Sequence, residues 1–364
     1  MSHRSHFRAY PTARKRIPRL LLGMLATFAM VLGIAGTGPA TAAADTVIDT
    51  IDVVGGPAAV AITPNGTRAY VTTIDDDSVS VIDTATNAVV ATVAVGTSPS
   101  GVAITPNGKR AYVTNRDDDT VSVINTATNT IVGLPIPVGV GPFGVAITPN
   151  GERAYVVNSS TGSVSVIDTG TDTVIDTIDV GDFPRGVAIT PLGFRAYVTN
   201  VDTDTVSVIN TLTNTVIDTI TAGDGPSGVA ITSNGFRAYV TNQDNDTVSV
   251  IATGTNTVVG APIPVGGTPF AVAITPNGKR AYVTDLLGNT VSVIDTGTNT
   301  VIETIDVGKE PQGVAITPDG KRAYVANRDD DTVSVIAIET CTGSLCIDFG
   351  SLAGSGSGAG SAFS

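Results

Sequence analysis

Tryptophan is absent from this chain, and the two histidines, His3 and His6, fall within its first 44 residues. Cysteine occurs twice, as Cys341 and Cys346, close to the other end. A chain whose body has neither residue cannot assemble a Ser-His-Asp triad, a Cys-His dyad, a histidine-ligated zinc or copper, or a histidine-ligated haem. Positive charge is also scarce, with 20 Lys and Arg against 33 Asp and Glu. Six of those bases (Arg4, Arg8, Arg14, Lys15, Arg16 and Arg19) precede the first acid, which leaves 14 against 33 and a net charge of −19 for the remainder. Such a surface disfavours nucleic acid and anionic membrane as partners. It also suits an exported protein that needs no more from its charge than solubility.

The early bases lead into an apolar run from Leu20 to Gly36, followed by Ala40-Thr41-Ala42 and Ala42-Ala43-Ala44, both fitting an A-x-A cleavage rule. A basic region, an apolar core and a small-residue site read together as a secretory signal peptide over residues 1–44. The competing reading is an uncleaved anchor, but this run lies at the short limit for a bilayer span. The expectation is a Sec-exported chain, secreted or held at the cell surface, with no integral membrane span after cleavage.

From there the sequence repeats itself. The phrase VAIT recurs at Val60, Val102, Val145, Val187, Val229, Val272 and Val314, in steps of 42 or 43 residues. A fixed period of that size signals a solenoid, a propeller or an array. One copy shows four short runs rich in β-branched residues: Val102 to Thr105, Arg110 to Thr114, Thr120 to Ile124 and Thr128 to Val132. None has the spacing of an amphipathic helix, so each copy predicts a four-stranded antiparallel meander. The turn between the first two runs reads Thr-Pro-Asn-Gly in most copies, and its glycine (Gly66, Gly108 and their equivalents) is present in all seven. Proline there favours a type I turn, and glycine accepts the left-handed φ that follows. In two copies the fourth run is broken by prolines, at Pro135 and Pro137 and at Pro262 and Pro264. Proline cannot donate to a ladder, so the fourth strand must be an outer edge, guarded against pairing with other chains.

The chain's ends decide between a ring and an open array. Asp45 to Val53 repeats Asp172 to Val180 letter for letter, where the string is a fourth strand, while the last copy stops after its third. A first strand without a blade and a last blade without its outer strand complement each other. The predicted fold is therefore an all-β seven-bladed propeller over residues 45–338, closed by the N-terminal strand beside Thr332 to Ile336. An open solenoid would need distinct capping repeats. Residues 339–364 form a Gly/Ser-rich tail in which Cys341 and Cys346 have the spacing of a small disulfide loop.

Each copy also carries one tyrosine, Tyr70 to Tyr324, expected to pack between neighbouring sheets. The arginine two residues earlier is expected to pair across strands with acids such as Asp83, Asp168 or Asp295. The phrases at Tyr112-Val-Thr-Asn115, Tyr197-Val-Thr-Asn200 and Tyr239-Val-Thr-Asn242 give the chain its likeness. It resembles the YVTN-family β-propeller repeat proteins, also called surface-layer-like propellers. The resemblance spans all seven copies and implies a seven-bladed propeller on secreted or cell-surface proteins, most without a defined activity. The wider fold group includes haem-d1 nitrite reductases, lactonases and a histidine-dependent antibiotic lyase. The missing histidine separates this chain from the haem and lyase branches.

Two sets of residues are candidates for function. The turns between second and third strands concentrate acid: Asp75 to Asp77, Asp117 to Asp119, Asp202, Asp204, Asp244, Asp246, Asp285 and Asp329 to Asp331. Aspartate is a good turn residue in its own right. Asp202, Asp204, Asp244 and Asp246 also alternate as the oxygens of a weak calcium site would, though the glycine and distal glutamate of a calcium loop are missing. A third reading is an acidic docking face for a basic partner. The other set is the residue after the proline that opens each innermost strand: Ala58, Ser100, Phe143, Arg185, Ser227, Phe270 and Gln312. This column changes where the framework repeats. Drift in an unconstrained loop would explain it. So would a channel mouth, with Arg185 and Gln312 holding a polar or anionic ligand against Phe143 and Phe270. The sequence thus points to a non-catalytic binding or structural scaffold, without a cofactor, whose partner is a protein or cell-envelope component. The alternative is a lactonase- or lyase-like enzyme working with carboxylates and Arg185.

Overall fold

A computed structural model describes residues 44–339 of the chain. These form seven antiparallel sheets, six of them with their strands in sequence order from the axis outward. The first blade pairs Pro57–Ile62, Arg68–Thr73, Ser78–Asp83 and Ala88–Ala94. The seventh takes its outer strand from the other end of the chain, with Thr46–Asp52 running antiparallel to Thr332–Ala337 from Thr46 opposite Ala337 to Asp52 opposite Thr332. Innermost strands of adjacent blades contact one another all the way round. This is a closed seven-bladed β-propeller. The expected signal peptide up to residue 43, both cysteines and the tail beyond Glu339 lie outside the described residues.

Two features depart from the strand bounds expected of the sequence. The innermost strand of the second blade starts at Pro99 rather than Val102, because Pro99 already faces Asn115 and a bulge absorbs the residues between. In the second and fifth blades the proline-broken outer strand is split in two. Thr130–Ile131 and Ile136–Pro137 both pair with Thr120–Asn125, and Thr257–Val258 and Ile263–Pro264 both pair with Thr247–Ala252. The edge thus keeps its ladder at both ends, with prolines where no donor is needed.

Apolar side chains from facing sheets fill the gaps between blades, as where Tyr155, Val164 and Val166 meet Ala196, Val198 and Ile209. All seven repeat tyrosines are fully buried. Each hydroxyl reaches into the next blade and donates to the Asn or Asp that begins its outer strand. Tyr70 bonds Asn129 at 2.8 Å, Tyr112 bonds Asp172 at 2.6 Å and Tyr155 bonds Asn214 at 2.8 Å. The series continues through Tyr197 to Asn256 and Tyr239 to Asn299, and returns from Tyr324 to Asn87. The closing member is Tyr282, which donates to Asp45.

The arginines follow the tyrosines, which overturns the cross-strand ion pair. Arg68 does lie opposite Asp83 in the ladder. Its guanidinium nevertheless turns to the next blade, bonding the Thr126 carbonyl at 3.2 Å and Asn129 Oδ1 at 3.3 Å. Asp83 instead caps its own turn, accepting the Ala85 and Thr86 amides, and the Thr86 backbone bond holds its carboxyl below the ordinary value. A turn carbonyl buried between blades needs a donor more than an exposed carboxylate needs a cation. The arginine serves the carbonyl. Asp168 and Asp295 cap their turns in the same way.

The other letters of the YVTN phrase have their own partners. Threonine donates to the innermost strand of the next blade, Thr114 Oγ1 to the Phe143 carbonyl at 2.7 Å and Thr199 to that of Ser227 at 2.6 Å. Asparagine stays within its blade, where Asn115 Nδ2 donates to Thr120 and Ser122 hydroxyls at 2.9 Å each. The repeat is thus a wiring rule, in which Tyr, Arg and Thr bind forward and Asn binds sideways.

Candidate functional site

The seven innermost strands converge on a cavity of about 260 Å³ on the axis. Each contributes three residues, so the wall consists of three stacked rings. The deepest is all valine, from Val60 to Val314. The middle is five glycines with Ala59 and Ala271, and the outermost is the variable column of Ala58, Ser100, Phe143, Arg185, Ser227, Phe270 and Gln312. At the middle ring's five glycine positions the backbones nearly touch, which leaves no room for a side chain. A Cβ on Gly186 would stand 2.5 Å from the Ser227 carbonyl, and one on Gly228 2.6 Å from that of Phe270. The threonine bonds from the preceding blades pin the backbone at Phe143, Ser227, Phe270 and Gln312. Side chains there are free to differ while the main chain is held.

The structure brings Arg185, Phe143 and Phe270 into one cluster. The guanidinium carbon lies 5.4 Å from the Phe143 ring centre and 5.2 Å from that of Phe270, and the two rings meet edge to face at 6.3 Å. Phe183 supplies a third face at 5.7 Å. Sequence reading missed Phe183 because it sits in the link between blades, one residue before Pro184. It was nonetheless detectable, since its column reads Gly56, Ser98, Gly141, Phe183, Gly225, Thr268 and Glu310. Arg185 Nη1 donates to Gln243 Oε1 at 2.7 Å and to Ser227 Oγ at 3.4 Å, while its buried Nε has no partner. Burial lowers its pKa to about 10 and the charge of Arg116 pushes the same way, against the pull of Asp244 and Asp202. It remains a cation at neutral pH, yet none of the ion pairs among the described residues includes it. Ser227 is buried beside it, and Ser100 and Gln312 are buried elsewhere in the outermost ring.

The acidic turns surround this mouth, and several of their carboxylates are already occupied. Asp204 Oδ1 accepts the Gly225 amide at 2.8 Å and Asp246 Oδ1 accepts that of Thr268 at 2.7 Å. Asp77, Asp119 and Asp331 bond the outgoing links of their own blades likewise. These last residues of the turns have φ between 51° and 56°, where Asp and Asn are tolerated. Asp202 and Asp244 lie two residues earlier in two of these turns. Among the described residues no three Asp, Glu, His or Cys side chains converge as metal ligands do. Calorimetric titration of chelator-stripped protein with calcium is expected to give no heat up to roughly 10⁻³ M, the range of weak extracellular sites. A saturable exotherm would restore the metal reading of these four aspartates.

Asp285 corrects the count of turn acids. It ends the second strand of the sixth blade, fully buried, in the place held elsewhere by Asn115, Asn158, Asn200, Asn242 and Asn327. Thr290 and Ser292 hydroxyls donate to its Oδ2 at 2.9 and 2.7 Å, and Oδ1 has no partner. Burial raises its pKa to about 6 against the pull of those hydroxyls.

Comparison with known proteins is consistent with the ring. Residues 212–349, well under half of the chain, match the family model described as "Lactonase, 7-bladed beta-propeller". A solved chain of Kuenenia stuttgartiensis hydrazine synthase is similar over 78% of this chain and 96% of its own length, at 26% identity and a TM-score of 0.72. No curated protein matches. No helix among the described residues is long and apolar enough to cross a membrane.

Proposed function

We propose that this is an exported, non-catalytic binding propeller of the YVTN-repeat kind, held at the cell surface or released, with its ligand seated at the mouth of the axial cavity. The observation that supports this is Arg185, a half-buried cation with its Nε sealed from solvent and no carboxylate in contact. Uncompensated buried charge is costly, and the repeat offers neutral alternatives at the same position in six other copies. Desolvated cations of this kind are suited to recognising an anion. Its partner would be a protein or envelope component carrying such a group.

The match to the lactonase family over residues 212–349 favours a second reading, in which the cavity hydrolyses a lactone. Ring opening by water needs a base to activate it and donors for the developing oxyanion. Arg185 would serve as the donor. Among the described residues, no Asp, Glu or His lines the cavity to serve as the base, so binding is preferred. Proton release from a panel of five- and six-membered lactones, followed at constant pH, is expected to stay at the buffer rate with the protein present. Turnover that disappears in Arg185→Ala would overturn the proposal in favour of the enzyme.

A further inference from the structure

We infer that the axial cavity takes a small monocarboxylate with a flat, apolar body, the carboxylate on Arg185 and the body against the Phe143 and Phe270 pair. This rests on the reading of the cavity mouth as an anion site and specifies the anion.

Four observations narrow the class. First, the cation is a guanidinium with a donor to spare. Nη1 is engaged by Gln243 and Ser227 and Nε is sealed from solvent, which leaves Nη2 for a ligand. A charged N–H donor suits a carboxylate, since hydrogen bonds between ionised partners are the strong ones. Second, one cation stands in the cavity wall, and the other near it, Arg116, is offset by Asp244 and Asp202 of the rim, which are also close enough to act on Arg185. A second negative charge on the ligand would meet that rim unpaired. Third, below Arg185 the wall is valine, glycine and alanine, with no polar side chain to receive hydroxyl groups. Polar bodies such as sugars would lose hydration there without replacement. Fourth, about 260 Å³ lies below the roughly 300–1,000 Å³ of pockets for drug-sized ligands, which leaves room for about one ring. The two phenylalanines, set edge to face, offer that ring both a face and an edge.

A structural role is the competing explanation, in which Arg185 merely plugs the channel and is satisfied by three aromatic faces. Cation–π contacts with three rings make that a serious rival, and it leads to different results. Calorimetric titration with benzoate, benzamide, acetate and phthalate separates the cases. Benzoate is expected to bind, phthalate and acetate at least about tenfold more weakly, and benzamide not at all. Arg185→Met should abolish benzoate binding with its thermal midpoint held or raised. Phe270→Leu, which keeps the channel filled, should weaken benzoate binding and leave that of acetate unchanged.

Equal affinity for acetate and benzoate would overturn the aromatic class while leaving the anion site standing. Binding of benzamide as tight as that of benzoate would show an apolar pocket and overturn the role of Arg185. No heat from any of the four, together with a lowered midpoint in Arg185→Met, would make the arginine a plug and overturn both this inference and the reading beneath it.

Discussion

Asp45→Ala is expected to destabilise the propeller by about 3–5 kcal/mol, the cost of breaking a buried charge pair from one side. The carboxylate has no exposed side-chain surface and takes both oxygens to Arg280 Nη1, at 2.9 and 3.0 Å. The Tyr282 hydroxyl and the Glu339 amide, the latter at 2.7 Å, complete its shell. Its own amide donates to Glu303 Oε2 at 3.2 Å, a further tie between the sixth and seventh blades. Removing the side chain leaves three donors without an acceptor at the seam of the ring. Asp45→Asn restores an acceptor of the kind that Asn87, Asn129, Asn214, Asn256 and Asn299 provide elsewhere, but it leaves Arg280 unneutralised. It should recover part of the loss. Asn129→Ala removes an equivalent neutral partner away from the seam, and is expected to cost about 1 kcal/mol. Chemical denaturation of the three variants checks the order. Equal losses for Asp45→Ala and Asn129→Ala would show that the seam is no weaker than any other joint.

Asp285→Asn should stabilise the protein at neutral pH. Because burial raises Asp285 from 3.8 to about 6, the folded chain holds that proton more tightly than the unfolded chain. The stabilisation this confers is complete below the unfolded value and is lost as pH rises through the folded one. Stability therefore falls by roughly 3 kcal/mol between about pH 4 and pH 6 on this account, then levels off. Asparagine removes the charge and can donate to the Thr290 and Ser292 hydroxyls, as Asn200 does to Thr205 and Ser207. The gain should approach the same size at pH 7 and vanish near pH 4. Thermal unfolding of wild type and Asp285→Asn at both values tests it, and a gain independent of pH would refute the titration of this carboxyl as its cause.

The ring, its seven blades and the strand that closes it were legible because each depends on local pattern or on matching strings. Asp45 to Val53 copies a fourth strand, and a copied strand has one place to go. What pairs with what between blades was not legible. The acceptor of Tyr70 is Asn129, in the next copy, and Asn129 reads by itself as an ordinary turn residue. Arg68 faces Asp83 in register, so the local pairing was the natural expectation; it lost to a buried carbonyl from another blade. Asp285 looked like one more turn acid because burial at that position follows from the neighbouring sheet rather than from its own segment. At the candidate site, the column containing Arg185 could be picked out because it varies among near-identical copies. Phe183 and Gln243 vary as well, but they lie in different loops, and the fold alone brings them to the guanidinium.

Each tyrosine bond runs from one blade to the next in the same rotational sense, so the donor and acceptor sides of a blade are different surfaces. In the language of assemblies, the joint is heterologous, and such joints either close into a ring or continue head to tail. Closure here relies on a strand from the far end of the same chain, linked to the first blade by residues 53–56. Two molecules that trade Thr46–Asp52 would re-form the outer ladder of both seventh blades. They would give up bonds of the linker, whose Gly55 and Gly56 amides hold Asp331 while their carbonyls accept the Asp75 and Ile74 amides. These few bonds and the linker's short reach favour the closed monomer. The device that hides the last edge of this propeller is also the one by which two copies can be joined.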